Sequence, residues 1–179
     1  ALPALGHIVE VPMLQWALDQ ALAEQVAAGR VTRLQGQAYS QHEFCAEGVL
    51  IPVAGSQPLK ARMLLGADGR ASKLRMRAGI ELELRDYQQQ GLVAVLQPEE
   101  PHQNIARQAF TDIGPLGLLP LANGQLSIVW SVPNTELRTL LADTPEVFCH
   151  KLAQACGQSG FELVSQRASF PLVMQHAQP

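Results

Sequence analysis

The residues of this chain best suited to chemistry sit in the run Gly66-Ala67-Asp68-Gly69-Arg70. A strand-like segment ending in Gly-Ala-Asp-Gly lets the backbone approach a ligand closely, because glycine has no Cβ and tolerates positive φ. The Asp68 carboxylate suits ribose hydroxyls, and the N–H groups of the following turn suit a phosphate. A plain polar turn between a strand and a helix fits the same residues. Other candidates carry less. His7, His42, His102, His150 and His176 lack partners at metal-ligand spacing, so no metal site is expected. His150 falls beside the apolar stripe of a helix and reads as a surface or boundary residue. Serine, histidine and cysteine assemble no triad, and no catalytic residue can be assigned. Glu81 and Glu83 lie on the polar face of a strand and read as solvated rather than as an acid–base pair. Tyr87, Gln88, Gln89 and Gln90 form a polar patch, either a cavity lining or an exposed turn between strands.

The elements that must position these residues follow from periodicity. Leu14, Leu18, Leu22 and Val26 recur every fourth residue and predict a helix over Pro12–Ala28, with Gly29 as its stop. Strand-like runs follow at Val31–Tyr39, Phe44–Val53 and Leu59–Leu65, the second limited by Pro52. Ser72 opens a short helical turn. Ile80, Leu82 and Leu84 alternate with charged residues, predicting a half-buried strand, and Gly91–Leu96 reads as another. An irregular stretch precedes a hairpin signalled by Asn123-Gly124, with Leu126, Ile128, Trp130 and Val132 on one face. Thr144 and Pro145 open a helix to Cys156, striped by Phe148, Leu152 and Cys156 and ended by Gly157. A last strand covers Phe161–Phe170. Few strands alternate with helices, so an α+β fold is expected rather than a complete doubly wound one.

Composition bounds the function. The chain has 179 residues, 47% hydrophobic and 16% charged, enough for a real core. Its net charge of −3 argues against a duplex-binding face, which needs clustered positive charge, so no nucleic-acid partner is expected. No apolar run reaches the roughly 18 residues that a membrane helix needs. The opening residues lack a signal-peptide pattern, so a cytoplasmic location is expected. Cys45, Cys149 and Cys156 are odd in number and lack CxxC spacing, which fits reduced, buried thiols.

Several segments taken together resemble the flavoprotein aromatic hydroxylases of ubiquinone biosynthesis, relatives of para-hydroxybenzoate hydroxylase. They are residues 5–18 (LGHIVEVPMLQWAL), 64–75 (LLGADGRASKLR), 85–96 (RDYQQQGLVAVL), 105–121 (IARQAFTDIGPLGLLPL) and 127–131 (SIVWS). They occur in the family's order over most of the chain. The DYQQQ and IARQAF segments look most like the subgroup that hydroxylates 2-polyprenylphenol at ring carbon five. The resemblance implies FAD as cofactor, NAD(P)H as co-substrate and O₂ as the oxygen source for an electron-rich phenol ring. It implies that Gly66, Asp68 and Gly69 contact the ribose and pyrophosphate region of FAD, with Arg75 supporting the turn. It implies an incomplete part of the FAD-binding α/β domain over residues 1–78. A substrate-binding domain, mainly antiparallel sheet plus a helix, would cover 79–179. That sheet would form a wall of an apolar cavity for a polyprenyl tail, with no single substrate contact assigned. Other ubiquinone-biosynthesis proteins, peripheral contact with the inner membrane and self-association are the partners it suggests.

Two departures qualify the resemblance. The family's GxGxxG segment and its later Gly-Asp motif are both absent, so an internal fragment that is inactive alone is expected. Val11 stands where the family usually has Arg, Gln or Asn, and valine cannot donate that flavin hydrogen bond. Two other readings remain: a flavin hydroxylase of another small aromatic compound, or a non-catalytic lipid-binding or assembly module of the same fold.

Overall fold

The computed structural model describes residues 5–178. Helix α1 (Val11–Ala27) is followed by β1 (Glu43–Cys45), β2 (Gly48–Ile51), β3 (Leu59–Ala61) and the short helix α2 (Lys73–Arg77). Next come β4 (Glu81–Pro98), β5 (Arg107–Thr111), β6 (Gly114–Pro120) and β7 (Leu126–Pro133). The helices α3 (Asn134–Ala142) and α4 (Pro145–Cys156) lead to β8 (Phe161–Leu163) and β9 (Ala168–Gln178). The fold is α+β, built from antiparallel sheets with flanking helices. Chain contacts divide it into two compact units. One holds residues 15–84 with those from 175 onward; the other holds residues 85–174 with the segment up to 14.

Alternation builds the larger sheet, ordered β5-β6-β7-β4-β8, with β9 also pairing β4. Leu92 of β4 lies opposite Trp130, and Ala94 opposite Ile128. On the other side of β7, Leu116 and Leu118 meet the same two residues. A period of two puts all of these on one face, and all are buried. Phe148 and Leu152 of α4 and Leu140 of α3 close that face. Helix α4 forms as its sequence requires. The Thr144 hydroxyl accepts the Val147 N–H at 3.4 Å, Pro145 occupies the first turn, and Gly157 ends the helix at φ 65°.

The β5–β6 turn is fixed by one hydroxyl. Thr111 Oγ1 accepts the Trp130 indole N–H at 3.1 Å and donates to the Gly114 carbonyl at 2.6 Å. Gly114 sits at φ 141°, and a Cβ there would lie 2.1 Å from the Ser131 carbonyl oxygen. A second tie crosses the helical layer. Arg167 donates to the carbonyls of Leu140 at 2.5 Å and Asp143 at 2.6 Å, with its guanidinium 5.0 Å above the Phe148 ring. These carbonyls lie at the end of α3, where intrahelical donors run out.

Several elements differ from the sequence expectation. Residues 31–39 form no strand: Gly36 turns left-handed at φ 72°, and no neighbouring strand pairs with them. The run Phe44–Val53 divides at Gly48 into the β1–β2 hairpin, and β2 stops at Ile51, before Pro52. The run Leu59–Leu65 is strand only to Ala61. The two strands expected at Ile80–Arg85 and Gly91–Leu96 are one, β4. Tyr87–Gln90 therefore lies inside a strand and is not a turn. Gln88 adopts φ 56° there, and the Asp86 carboxylate accepts its N–H at 2.8 Å, so a local distortion re-aims the strand without ending it. The stretch read as irregular contains β5, and α3 was not anticipated. The last run breaks into β8 and β9. The apolar stripe of α1 does not reach a core: Leu14 is 50% and Leu18 61% exposed, and no residue of α1 is buried. No helix among the described residues is long and apolar enough to cross a membrane.

Arg167→Ala should remove two charge-assisted hydrogen bonds and lower unfolding free energy by about 2 kcal/mol, read from urea denaturation. Arg167→Lys should recover less than half of that, because a compact ammonium lacks the planar fork that reaches both carbonyls at once. Full recovery by lysine would show that charge alone matters there.

Candidate functional site

The Asp68 turn is organised by the start of α2. The Ser72 hydroxyl accepts the Arg75 N–H at 3.0 Å, a standard N-terminal cap, and donates its proton to Asp68 Oδ1. Asp68 Oδ2 accepts the N–H groups of Lys73 at 2.8 Å and Leu74 at 3.3 Å. One carboxylate thus satisfies the donors that a first helical turn leaves open. The Ser72 hydrogen bond, followed by the backbone N–H groups, holds the Asp68 carboxyl below its ordinary value near 3.8.

The flanking residues divide by role. At Gly66 a Cβ would lie 2.9 Å from Leu74 Cδ2, so this glycine permits tight packing of the turn on α2. At Gly69, φ is 79° and the space beside the missing Cβ is open, leaving bare backbone accessible. Arg75 Nη2 donates to the Arg70 carbonyl at 3.1 Å across the turn, while its Nε is buried with no hydrogen-bond partner. Gly66, Ser72 and Arg75 border a cleft of about 540 Å³ within this unit, walled by apolar side chains such as Val49, Leu64 and Ile80. Asp68 and Gly69 do not line it.

An open glycine backbone and an orphaned guanidinium N–H fit the polar middle of a dinucleotide such as FAD. The Asp68 oxygens already accept three hydrogen bonds. Any ribose contact would have to share them, and the carboxylate's present work is to shape the turn.

The remaining candidates fall outside this arrangement. His150 is exposed on α4. Burial pushes the Cys149 and Cys156 thiols up, away from the thiolate that a nucleophile needs, and the Cys156 thiol donates to the Leu152 carbonyl at 3.1 Å. Among the described residues no group of His, Cys, Asp and Glu could hold a metal ion. Sequence reasoning weighed His42 only as a metal ligand; its Nδ1 lies 2.5 Å from the Tyr39 hydroxyl at the cleft edge. The same holds for His102, which is buried and whose Nδ1 accepts the Asn104 N–H at 3.0 Å across a left-handed pair, Gln103 and Asn104. Neither histidine belongs to a local motif.

The depressed carboxyl gives a pH prediction with a definite sign. A folded-state value below the unfolded one stabilises the turn above the unfolded pKa, and that contribution is lost as pH falls through the folded value. An NMR titration should place the Asp68 carboxyl midpoint below 3.8, with the Lys73 and Leu74 amide shifts moving together with it. Asp68→Asn should remove that coupled transition. A midpoint at or above the ordinary value would refute the hydrogen-bonded turn.

No family model matches the chain. It is 31% identical to the 3-demethoxyubiquinol 3-hydroxylase of Escherichia coli over 98% of this chain and 44% of that protein. It is 29% identical to the ubiquinone hydroxylase UbiL of Rhodospirillum rubrum over 97% of this chain and 40% of that protein. Among solved structures, PqsL of Pseudomonas aeruginosa in complex with 2-aminobenzoylacetate superposes with a TM-score of 0.69 at 22% identity, covering 87% of this chain and 46% of that one. The flavin-dependent monooxygenase PieE, in complex with FAD and substrate, gives 0.64 at 16% identity, covering 91% and 31%. The chain spans less than half the length of the curated relatives it matches. Along nearly all of its own length it is a relative of the ubiquinone-biosynthesis hydroxylases, with the fold of flavin-dependent monooxygenases.

Proposed function

We propose that this chain contributes the substrate-binding portion and part of the FAD-binding portion of a flavin-dependent monooxygenase that hydroxylates the ring of a polyprenylphenol. The observation that carries this reading is the similarity to a ubiquinone-pathway hydroxylase over 98% of the chain, together with an open Gly69 backbone and an orphaned Arg75 Nε in the same turn–helix segment. In this reading residues 1–78 belong to the FAD-binding part and residues 79–179 to the substrate part.

FAD, reduced by NAD(P)H, supplies the activation of O₂. The chain's own residues do the rest. Asp68 and Ser72 fix the turn so that Gly69 would present bare backbone to the pyrophosphate region, and Arg75 would support that turn through its bond to the Arg70 carbonyl. The face of the larger sheet away from the helices supplies the substrate wall. Its residues include Gly91 and Val93 on β4, Ser131 and Val129 on β7, and Gly117 on β6, matched across the strands by register. Small and apolar side chains there exclude water from the reacting ring. The apolar exposed surface of α1 favours association with another protein surface, a second copy included, and an apolar substrate favours work at the inner-membrane surface.

The test is spectroscopic. The protein purified in its native form should show flavin absorbance between about 300 and 550 nm. It should oxidise NADPH faster when a 2-polyprenylphenol is added, and yield a product one oxygen heavier. This chain alone, mixed with FAD, should show weak binding or none. A native preparation with no flavin that cannot be reconstituted would contradict the enzyme reading and favour a lipid-binding or assembly module. Acceleration by small phenols but not by prenylated ones would favour hydroxylation of another aromatic compound.

A further inference from the structure

Glycine in mid-strand weakens a sheet relative to alanine unless something requires it. Gly91 of β4 is such a glycine. Its backbone is not left-handed, so a turn does not explain it. The explanation is the tip of the Phe170 ring. A Cβ on Gly91 would lie 2.5 Å from Phe170 Cζ, 2.7 Å from Cε2 and 3.0 Å from Cε1. Gly91 pairs with Ser131, one step along from the Leu92–Trp130 pair, so the ring rests on the face away from the core. Phe170 is 44% exposed, whereas Trp130 and Phe148 on the core side are buried. Phe170 therefore does not fill the core. Its ring tip is set against bare backbone, and the residue is half-exposed.

We infer that Phe170, seated on Gly91, is a specificity-determining residue that offers an aromatic platform to the ring of a neutral, apolar-substituted phenol. This rests on the reading of that sheet face as the substrate wall. Offset or edge-to-face contact between two rings adds about 0.5–1.5 kcal/mol beyond the area buried. The residues beside the platform, Val93, Val129, Ser131 and Gly117, carry no charge. A carboxylated aromatic would lose hydration against these four residues, none of which offers a cation to replace it. A neutral ring with an apolar tail loses nothing comparable.

The experiment is calorimetric titration of this chain with 2-geranylphenol, with geraniol as a tail lacking the ring, and with 4-hydroxybenzoate as a charged ring lacking the tail. The chain should bind 2-geranylphenol more tightly than either. Phe170→Leu keeps apolar volume and removes the ring; it should weaken 2-geranylphenol about 2- to 13-fold, the range that the ring contact implies, and leave geraniol unchanged. Phe170→Tyr should retain affinity. Gly91→Ala should weaken 2-geranylphenol by displacing the ring, and adding it to Phe170→Leu should cost little more, because both act on one contact. Circular dichroism confirms that each variant is folded. Unchanged affinity in Phe170→Leu overturns the platform while leaving the substrate-wall reading intact. Equal affinity for 4-hydroxybenzoate overturns the preference for a neutral ring. Binding of neither 2-geranylphenol nor geraniol to the unaltered chain removes the substrate wall, and the platform with it.

Discussion

Alternation along β4, β7 and β6 commits one face of the larger sheet to a core and leaves the other for something else. Leu92, Trp130 and Leu116 meet in register on the first face, and α3 and α4 cover them. The second face receives the intervening residues, which are small or modest in size. A sheet that needed only to be stable could place larger apolar groups there and recruit another layer. Instead β4 has a glycine at position 91, and a half-exposed phenylalanine rests on it. The helical side must therefore supply most of the stability of this unit. That explains why its ties are strong: Thr144 caps α4, Arg167 holds the end of α3, and Thr111 satisfies the buried indole.

The smaller unit obeys a different constraint. Its Asp68 turn joins an extended segment to a helix of five residues, too short to be stable through its own backbone bonds. Asp68 and Ser72 compensate by satisfying four donors between them, the Ser72 hydroxyl included. Gly66 lets Leu74 pack close, and Gly69 is left open to the outside. The carboxylate that sequence reasoning directed at a ligand is occupied in building the turn. In the proposed reading, ligand recognition by this turn would fall to backbone N–H groups and to Arg75, with Asp68 acting through the position of both.

Local signals made much of this legible. Thr144-Pro145 and Gly157 bounded α4 to the residue because caps and terminators act within one turn. Leu126, Ile128, Trp130 and Val132 declared a buried face because a period of two survives folding unchanged. Asn123-Gly124 marked its hairpin for the same local reason, and the segments around GADGR carried the family likeness. What failed was set by distant partners. Residues 31–39 alternate like a strand, yet no strand pairs with them. Tyr87–Gln90 left a cavity lining or a turn open, yet Asp86 caps Gln88, the strand runs on through it, and the ladder to β7 begins at Gln89. Phe170 reads as one more apolar strand residue. Its role depends on Gly91, far away in sequence, and only the pairing of β9 with β4 brings the two together.

In the proposed reading, the protein to which this chain contributes transfers an oxygen atom from O₂ to a phenol ring. Single-turnover oxidation of a 2-polyprenylphenol under isotopically labelled O₂, with mass spectrometry of the product, tests this most directly. The account predicts one labelled oxygen on the aromatic ring and none drawn from water. Unlabelled product, or reduced cofactor consumed with the phenol recovered unchanged, would contradict it.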